Sequence, residues 1–474
     1  MSEAAKALTL ADVQGTVLRG YRVNCARHFV LRVTEPAAAR AFLGSLVDGS
    51  SGMPQITTAE EWCDKPPSFL NVGITHPGLE ALGVERGHLQ SFPASFQRGA
   101  THTKTKTRLG DVGDSDSSNW IEELRDSDAV HVILSLWVTD SDDEMNEVTA
   151  TLRRSFPGAL EEQGALDAAT LPSDRNQVHF GYADNISQPR LEGVPPRKCH
   201  VADPRPIPTV AVGSVLLGWK TPQGDTLRVD PEELSTNSSF AAFRVLEQDV
   251  AGFERFLDEA AAAHGIDREL VAAKICGRWR NGVPLVLSPE TPDPARPPSD
   301  EERNDFDYVD DRLGLRCPIG SHIRRTHPRS QAVVGGPGSG HTHRIVRRAM
   351  PYGPPFDPEH PDTQCRGLIG YFINADFRRQ FEFTMSAWVN NPDFLMSDPN
   401  DGTDPYNHIS GLDVLIGAND RASSSFTFPV LPAAGPTPTN RRLEGFSRFV
   451  TTRGGAYVYL PSITALRYLA HLPA

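Results

Sequence analysis

One stretch of the sequence places a single histidine among several arginines. Residues 314–329 read Gly-Leu-Arg-Cys-Pro-Ile-Gly-Ser-His-Ile-Arg-Arg-Thr-His-Pro-Arg. Proteins bind ferric haem iron with a neutral imidazole, and positive side chains neutralise the haem propionates. His322 could supply the imidazole, and Arg324, Arg325 and Arg329 the positive charge. We therefore consider His322 a candidate axial ligand. The alternative is a solvated basic turn with an incidental histidine, which is the commoner case for an isolated histidine.

Two neighbouring residues compete with His322 as the iron ligand. Cys317 could bind iron as a thiolate, but the adjacent Pro318 and the nearby His322 make it the weaker candidate. His327, in the same stretch, is the nearest rival. We therefore place His322 first among the three.

Two further stretches carry groups suited to acid–base or electrostatic chemistry. Asp184 is the single carboxylate of the turn-rich segment 180–189, and a dry setting there would favour its protonated form. An aspartate that caps a turn through backbone amides is the alternative, and the commoner one. Arg347 follows two β-branched residues in the segment 344–353 and is expected to point inward, although surface arginines are more common.

Length and charge restrict the class of protein. A chain of 474 residues exceeds the usual size of one simple core, which suggests two packed lobes or one duplicated domain. The formal net charge of −13, from 47 Lys+Arg and 60 Asp+Glu, argues against nucleic acid or an anionic membrane as the main partner. The first residues show neither a signal peptide nor a twin-arginine motif, so we expect a cytoplasmic protein.

The cysteines are widely spaced. No CxxC or CxxCH pattern occurs, so neither a zinc ribbon nor covalent haem attachment is indicated. We expect reduced thiols at all six positions, which are Cys25, Cys63, Cys199, Cys276, Cys317 and Cys365.

The hydrophobic pattern predicts strands and helices in both halves of the chain. In the first half the predicted strands are 28–33, 69–74 and 130–138, and the predicted helices are 36–47, 78–82 and a segment from about 140 to 154. In the second half the predicted strands are 240–246 and 368–373, and the predicted helices are 250–263 and 377–389. This mixture is typical of an α+β protein.

The two halves look like copies of one unit. His-Phe-Val-Leu-Arg-Val from His28 parallels Ser-Phe-Ala-Ala-Phe-Arg-Val from Ser239, and an acidic residue and an alanine-rich helix follow each. We predict two halves, 1–208 and 209–474, separated near a proline-rich linker at 195–208. An antiparallel sheet with helices on one face would leave a crevice for a flat cofactor.

The stretches that carry His322, Asp184 and Arg347, together with three others, resemble the dye-decolorising peroxidase family, and they occur in that family's order. They span nearly the whole chain, and the long insertions are similar to those of the larger bacterial and fungal-type members. The segments that carry the resemblance are 12–21, 179–189, 317–329, 345–353, 366–383 and 449–461.

The resemblance implies a duplicated ferredoxin-like fold with haem in a crevice of the C-terminal half. It also implies a non-covalent b-type haem and the use of hydrogen peroxide to oxidise bulky aromatic substrates such as dyes and phenolics. His322 matches the proximal ligand, Asp184 the distal acid–base residue and Arg347 the distal arginine. The other expected cofactor-binding residues are Arg324, Arg329, Leu368 and Gly370.

The chain departs from the family's pattern at two positions. The family motif GxxDG ends in glycine, whereas here Asn185 follows Asp184. Asparagine tolerates a positive φ, so the turn is expected to survive. Many members carry phenylalanine where this chain has Gly370. The missing side chain would widen the distal pocket or transfer the aromatic role to Tyr371 or Phe372.

Several questions stay open at the level of sequence. Asp404 is one candidate for the carboxylate that holds His322. A haem-binding carrier or sensor without efficient turnover is the main alternative function, and an enzyme that acts on haem itself is a weaker one. The residues do not indicate an oligomeric state, or which of the six tryptophans and nine tyrosines passes electrons to a substrate.

Overall fold

The structure is a computed structural model that describes residues 8–49, 52–139, 142–173, 176–195, 209–293, 298–299, 302–336, 339–395, 410–430 and 439–473. The strands are β1 (Cys25–Val33), β2 (Ser68–Ile74), β3 (Val132–Val138), β4 (Leu160–Ala169), β5 (Ser239–Gln248), β6 (Val346–Tyr352), β7 (Gly367–Asn374), β8 (Ser425–Val430), β9 (Thr439–Glu444) and β10 (Val450–Leu460). The α-helices are α1 (Gly15–Leu18), α2 (Pro36–Ser45), α3 (His76–Ala81), α4 (Arg86–Ser91), α5 (Ala94–Arg98), α6 (Thr103–Leu109), α7 (Glu122–Arg125), α8 (Asp142–Ser155), α9 (Glu232–Ser235), α10 (Val250–His264), α11 (Arg268–Cys276), α12 (His322–Thr326), α13 (Ser339–Thr342), α14 (Phe381–Phe383) and α15 (Ile463–Ala470). A π-helix, Thr384–Val389, follows α14, and short 3-10 helices lie at Leu10–Asp12, Gly113–Ser115, Ser117–Asn119, Val212–Ser214 and Val309–Asp311.

Eight strands form one antiparallel sheet whose order shows the duplication. The order is β4-β1-β3-β2-β10-β5-β7-β6. Numbered within each half, both sets of four strands follow the order 4-1-3-2, with a helix after the first strand and another before the last. This is the ferredoxin-like arrangement, so the predicted α+β class and duplicated fold are confirmed.

The two half-sheets are joined rather than separate. Ile74 of β2 pairs with Tyr459 of β10, which makes the sheet continuous. The outermost strands β4 and β6 also contact each other. The sheet therefore curls into a barrel-like form with an inner and an outer face.

Strand alternation divides the core between these two faces. On β1, Phe29 and Leu31 pack outward with the helix-facing cluster, while Ala26 and Val30 pack inward. Successive side chains of a strand point to opposite sides, so one strand supplies both cores. The intervening His28 points inward as well and is fully buried.

The predicted strands match observed ones within a few residues, whereas β4, β6, β8, β9 and β10 were not predicted as strands. The helix predicted at 377–389 begins only at Phe381 and ends as the π-helix. The linker at 195–208 and the predicted boundary at residue 208 fall on residues 196–208, outside the described residues.

The five described cysteines carry free thiols, as predicted, and Cys199 lies outside the described residues. Within the described part of the chain, no helix is both long and apolar enough to span a bilayer.

A buried ion pair ties the two halves together. Arg244 on β5 donates to both carboxylate oxygens of Asp111, at 2.6 and 2.8 Å, and Asp111 follows α6 of the first half. Thr452 of β10 also donates to Asp111 and accepts from Arg244, each at 2.8 Å. Both charged side chains are at most 4% exposed, so each depends on the other for the interactions that water would otherwise supply.

Replacing Asp111 with asparagine should therefore lower the free energy of unfolding by roughly 3–5 kcal/mol, because it leaves the Arg244 guanidinium buried without its counter-charge. Chemical denaturation would measure the change. The exposed pair Arg442–Glu444 provides a matched control, and Glu444→Gln should cost less than about 1 kcal/mol. Similar losses for the two variants would contradict the interpretation.

Candidate active site

His322 begins helix α12 and is oriented by a buried carboxylate. Its Nδ1 lies 2.9 Å from Oδ2 of Asp413, which is fully buried. The other oxygen of Asp413 accepts from the backbone amides of Leu415 and Ile416 at 2.9 and 3.0 Å. With Nδ1 donating to this carboxylate, Nε2 carries the free lone pair, which is the usual arrangement of a metal-binding histidine.

The charge state of Asp413 follows from its surroundings. Burial by itself raises the pKa of this carboxyl group, but the interactions with His322, the Ile416 amide and Arg325 outweigh burial and leave the pKa lowered. The carboxylate is therefore ionised and fixes the proton of His322 on Nδ1. Asp404, the sequence-based candidate for this role, lies outside the described residues, and the partner observed is Asp413.

The two rivals of His322 are occupied otherwise. Burial raises the pKa of the Cys317 thiol to about 11, so this residue is a neutral thiol and a poor iron ligand. Nε2 of His327 lies 3.0 Å from Nη1 of Arg344, from which it accepts a hydrogen bond. Burial, followed by Arg344 and Arg329, lowers the pKa of His327 well below its usual value, so it stays neutral.

Asp184 and Arg347 line one large cavity, together with Leu368 and Gly370. The cavity has a volume of about 770 Å³ and lies on the outer face of β5, β6 and β7, where Phe372 completes the strand wall. Tyr21 and Trp137 of the inner cluster also line it. Its volume is in the range of ligand and cofactor sites. Apart from Thr16 of α1, the lining residues belong to strands and loops of both halves, so this cavity is not the crevice that was expected between sheet and helices.

The side chains of Asp184 and Arg347 are close to each other but not in direct contact. Nη1 of Arg347 lies 3.9 Å from Oδ1 of Asp184, which is too long for a hydrogen bond. The Asp184 side chain is 43% exposed and that of Arg347 42%. The dry setting considered for Asp184 is therefore not observed, because its side chain is open to solvent. Gln188, which sequence reasoning did not single out, bonds both backbone groups of Arg347 and fixes its strand against the Asp184 loop.

His322 is not part of this cavity wall, and a buried asparagine connects the two. Asn304 donates through its amide to the carbonyl of Ile186, a residue of the wall, at 2.6 Å. Its backbone carbonyl accepts from Arg329 at 2.9 Å, and its side-chain oxygen from Arg278 at 2.8 Å. The segment of His322 is thus anchored to the loop of Asp184. No pattern in the sequence pointed to Asn304.

Arg324 and Arg329 do not serve as free cations for a cofactor. Arg324 is fully buried and donates to Gln331, Asp311 and the carbonyl of Cys317. Arg329 is 3% exposed, donates to the carbonyls of Asn304 and Phe306, and stacks on the Phe306 ring. Their guanidinium groups bind the protein itself, and the prediction that they also bind the cofactor stays a prediction.

No family model matches the chain, but its sequence is similar to those of several known proteins. Dye-decolorizing peroxidase msp1 of Mycetinis scorodonius is 28% identical over 490 residues, covering 98% of this chain and 88% of the relative. Multifunctional dye peroxidase DyP2 of an Amycolatopsis species is 28% identical over 505 residues, covering 99% of this chain and 97% of the relative.

Solved structures give the same result. A dye-decolorizing peroxidase in complex with 2,6-dimethoxyphenol has a TM-score of 0.78 at 27% identity, covering 98% of this chain and all of that one. A fungal DyP-type peroxidase from Auricularia auricula-judae has a TM-score of 0.78 at 25% identity over the same share. Over nearly its whole length the chain is similar in sequence and in fold to dye-decolorizing peroxidases. The predicted enzyme class, a haem peroxidase, is thereby confirmed.

The donor set fits the haem of this family. Among the described residues, no group of three or more His, Cys, Asp or Glu side chains is placed to hold a metal ion. His322 offers one imidazole nitrogen, and a single axial imidazole is a common protein ligand of haem iron. The carboxylate–histidine pair Asp413–His322 suits haem iron.

Gly370, one of the two departures from the family's pattern, is required by close backbone packing. A Cβ at this position would lie 2.0 Å from the carbonyl oxygen of Arg348, and φ is 155°. Of the two candidates for the aromatic role, Phe372 lines the cavity and stacks on Phe381 at 5.1 Å, whereas Tyr371 points to the inner face of the sheet.

Asn185, the other departure, keeps the turn that glycine allows elsewhere. Its φ is 60°, in the left-handed region, as predicted. It lines the cavity and is exposed.

Asn185→Gly should therefore leave both stability and the rate of reaction with peroxide nearly unchanged, since glycine adopts this conformation at least as readily. Asn185→Val should lower the free energy of unfolding by about 1–3 kcal/mol, because a β-branched residue is strained at positive φ. Denaturation and stopped-flow measurements on both variants test this. A faster peroxide reaction in the glycine variant would show instead that the amide obstructs the cavity.

Proposed function

We propose that this chain is a peroxidase in which His322 binds a non-covalent haem b, and hydrogen peroxide and bulky aromatic reductants meet at Asp184 and Arg347. One observation carries the proposal: the carboxylate–histidine pair Asp413–His322 is anchored to a cavity whose wall holds a carboxylate and a guanidinium side by side. The lack of a CxxCH motif supports non-covalent binding.

Asp184 moves one proton. Peroxide must lose a proton from one of its oxygens, and the other oxygen must gain one in order to leave as water. A single carboxylate beside both oxygens can accept the first proton and return it to the second. The Asp184 side chain is 43% exposed, which leaves room for peroxide and a water molecule beside it.

Arg347 supplies charge stabilisation. Its guanidinium remains protonated and offers several donors in a fixed plane. Directed at the peroxide, these donors stabilise the negative charge that develops as the oxygen–oxygen bond breaks, an effect worth about 3 kcal/mol for preorganised donors in other enzymes. The two backbone hydrogen bonds to Gln188 fix its position on β6.

His322 would contribute the protein ligand of the iron. A bound haem would supply the redox-active iron at which peroxide is reduced and to which electrons from a substrate return. His322 would hold that iron through Nε2, and its hydrogen bond to ionised Asp413 makes the ring a more basic ligand. A basic ligand stabilises oxidised iron.

Aromatic reductants suit the lining of the cavity. The solved relative in complex with 2,6-dimethoxyphenol shows that a family member binds a phenol. In this chain Tyr21, Trp137 and Phe372 line the cavity. Such rings offer flat apolar contacts to an aromatic molecule.

A steady-state assay with peroxide and an anthraquinone dye, beside an absorption spectrum of the haem-loaded protein, tests the proposal. A peroxidase bleaches the dye with many turnovers. A haem carrier or sensor shows the Soret band without turnover, and that result would exclude the proposed activity.

Removing the imidazole of His322 should remove most of the haem. We expect His322→Ala to lose the ferric Soret band after purification with excess haem, because no other described group replaces the ligand. His327→Ala is the matched control and should keep its spectrum, since that ring is engaged with Arg344. Full haem with an unchanged spectrum in His322→Ala would refute the ligand assignment.

Neutralising the cavity residues should slow the reaction with peroxide and spare haem binding. We expect Asp184→Asn to lower the second-order rate constant by about 10²–10⁴-fold, the usual contribution of a general acid–base group. Arg347→Leu should lower it by about 10²–10³-fold, the usual loss for a preorganised donor. Stopped-flow spectroscopy at one pH gives both constants.

The pair Arg379–Asp225 is a close control. Its side chains have the same exposure, 42% and 43%, and neither residue lines the large cavity. Asp225→Asn and Arg379→Leu should react with peroxide at the wild-type rate. Unchanged rates in the Asp184 variant would assign the proton transfer to another group.

A further inference from the structure

Three polar side chains form a hydrogen-bonded chain inside the barrel-like sheet. Ser135 Oγ of β3 lies 2.7 Å from Nδ1 of His28 on β1 and 2.5 Å from the hydroxyl of Tyr371 on β7. His28 and Ser135 are fully buried and Tyr371 is 2% exposed. Residues from both halves of the duplicated fold thus meet at one serine hydroxyl.

The number of buried donors and acceptors left without a partner decides in which direction these three groups donate their hydrogen bonds. In one direction Tyr371 donates to Ser135 and Ser135 donates to Nδ1 of His28, which leaves only the Nε2–H group of His28 unpaired. In the other direction His28 donates, and both the hydroxyl hydrogen of Tyr371 and the Nε2 lone pair are unpaired. Nε2 has no hydrogen-bond partner among the described residues in either case. The first direction leaves fewer buried groups unsatisfied and is therefore favoured.

The surroundings keep the imidazole neutral. The rings of Trp137 and Phe243 lie edge-on to His28, with centroids at 5.1 and 5.2 Å. Burial lowers the pKa of His28 to about 3, and the charge of Asp167 only partly opposes this. At working pH the Nδ1 lone pair is thus available. Burial also raises the pKa of the Tyr371 phenol, so the ring is protonated before any oxidation.

Tyr371 lies directly behind the proposed peroxide site. Its neighbours Gly370 and Phe372 line the large cavity on the outer face of β7, whereas its own ring lies on the inner face. Trp137, which contacts His28, lines the same cavity. The phenol is therefore separated from the cavity by the backbone of its own strand, β7, and is screened from water.

We propose that Tyr371 is an oxidisable residue of this enzyme, which gives up one electron after the reaction with peroxide and passes its phenolic proton through Ser135 to His28. The inference rests on the proposed peroxidase function. An oxidised phenol is a much stronger acid than an imidazolium ion, so oxidation in an apolar interior requires a base to receive the proton. His28, which is linked to Tyr371 through Ser135, is that base.

Hydrogen peroxide takes up two electrons, and two protons from solvent, and becomes two waters. Tyr371 provides one of the electrons, and the bound haem would supply the other, which a second molecule of aromatic reductant replaces. The phenolic O–H bond breaks, its proton moves to Ser135 Oγ, and the proton of Ser135 moves to Nδ1 of His28. A neutral phenoxyl radical and an imidazolium result. An aromatic reductant then returns one electron, and the proton moves back along the same three groups.

Electron paramagnetic resonance of the haem-loaded enzyme, frozen milliseconds after one equivalent of peroxide and without reductant, tests the proposal. We expect a tyrosyl signal that narrows when the protein is made with ring-deuterated tyrosine. Tyr371→Phe should lose this signal. Ser135→Ala, a small change that cuts the proton path, should lose most of it while the haem spectrum is kept.

Tyr459 provides a matched control. It is also fully buried, and its hydroxyl bonds a serine, Ser238, at 2.9 Å, but that hydroxyl also donates to the carbonyl of Leu234 and not to an imidazole. Tyr459→Phe should keep the signal. An unchanged signal in Tyr371→Phe or in Ser135→Ala would overturn the proposed relay. Dye oxidation without any tyrosyl signal would overturn the relay alone, whereas no reaction with peroxide would overturn the peroxidase function and the relay with it.

Discussion

Buried guanidinium groups hold the irregular segments that carry the site. Strands and helices satisfy their own backbone groups, but the segments around residues 302–336 and 410–424 contain little regular structure and still lie inside the protein. A buried carbonyl without a partner costs about 1–3 kcal/mol. One arginine can satisfy several carbonyls with its five donors. The four that do so here are Arg278, Arg324, Arg325 and Arg329.

Arg325 links this framework to the proposed iron ligand. It donates to the carbonyls of Trp388 and Gly411 and to the hydroxyl of Ser410. The π-helix and the segment before Asp413 are thereby fixed to the helix that begins at His322. Burial lowers the pKa of Arg325 to about 10, with Asp413 opposing the shift, so the group stays charged at neutral pH. Its charge in turn helps to keep Asp413 ionised.

These arginines also show where reasoning from sequence stops. A run of arginines beside a histidine was interpreted as positive charge for a cofactor, because the sequence does not show whether a guanidinium faces a ligand or its own backbone. The strands could be predicted because their apolar periodicity is local. Asn304, Asp413 and Gln188 could not, since each acts through a contact made far along the chain. The positive φ of Asn185 was predictable, because it depends on the residue's own preference.

Strand β7 joins the two chemical features of the molecule. Its alternation places Leu368, Gly370 and Phe372 toward the cavity and Tyr371 toward the interior. Gly370 cannot carry a side chain there, because the carbonyl of Arg348 occupies the position of its Cβ. An aromatic ring is therefore excluded from the centre of this wall, and the adjacent Phe372 is much harder to oxidise than a phenol. Of the two aromatic neighbours of Gly370, only Tyr371 can release an electron readily, and it is the one whose hydroxyl leads to a base.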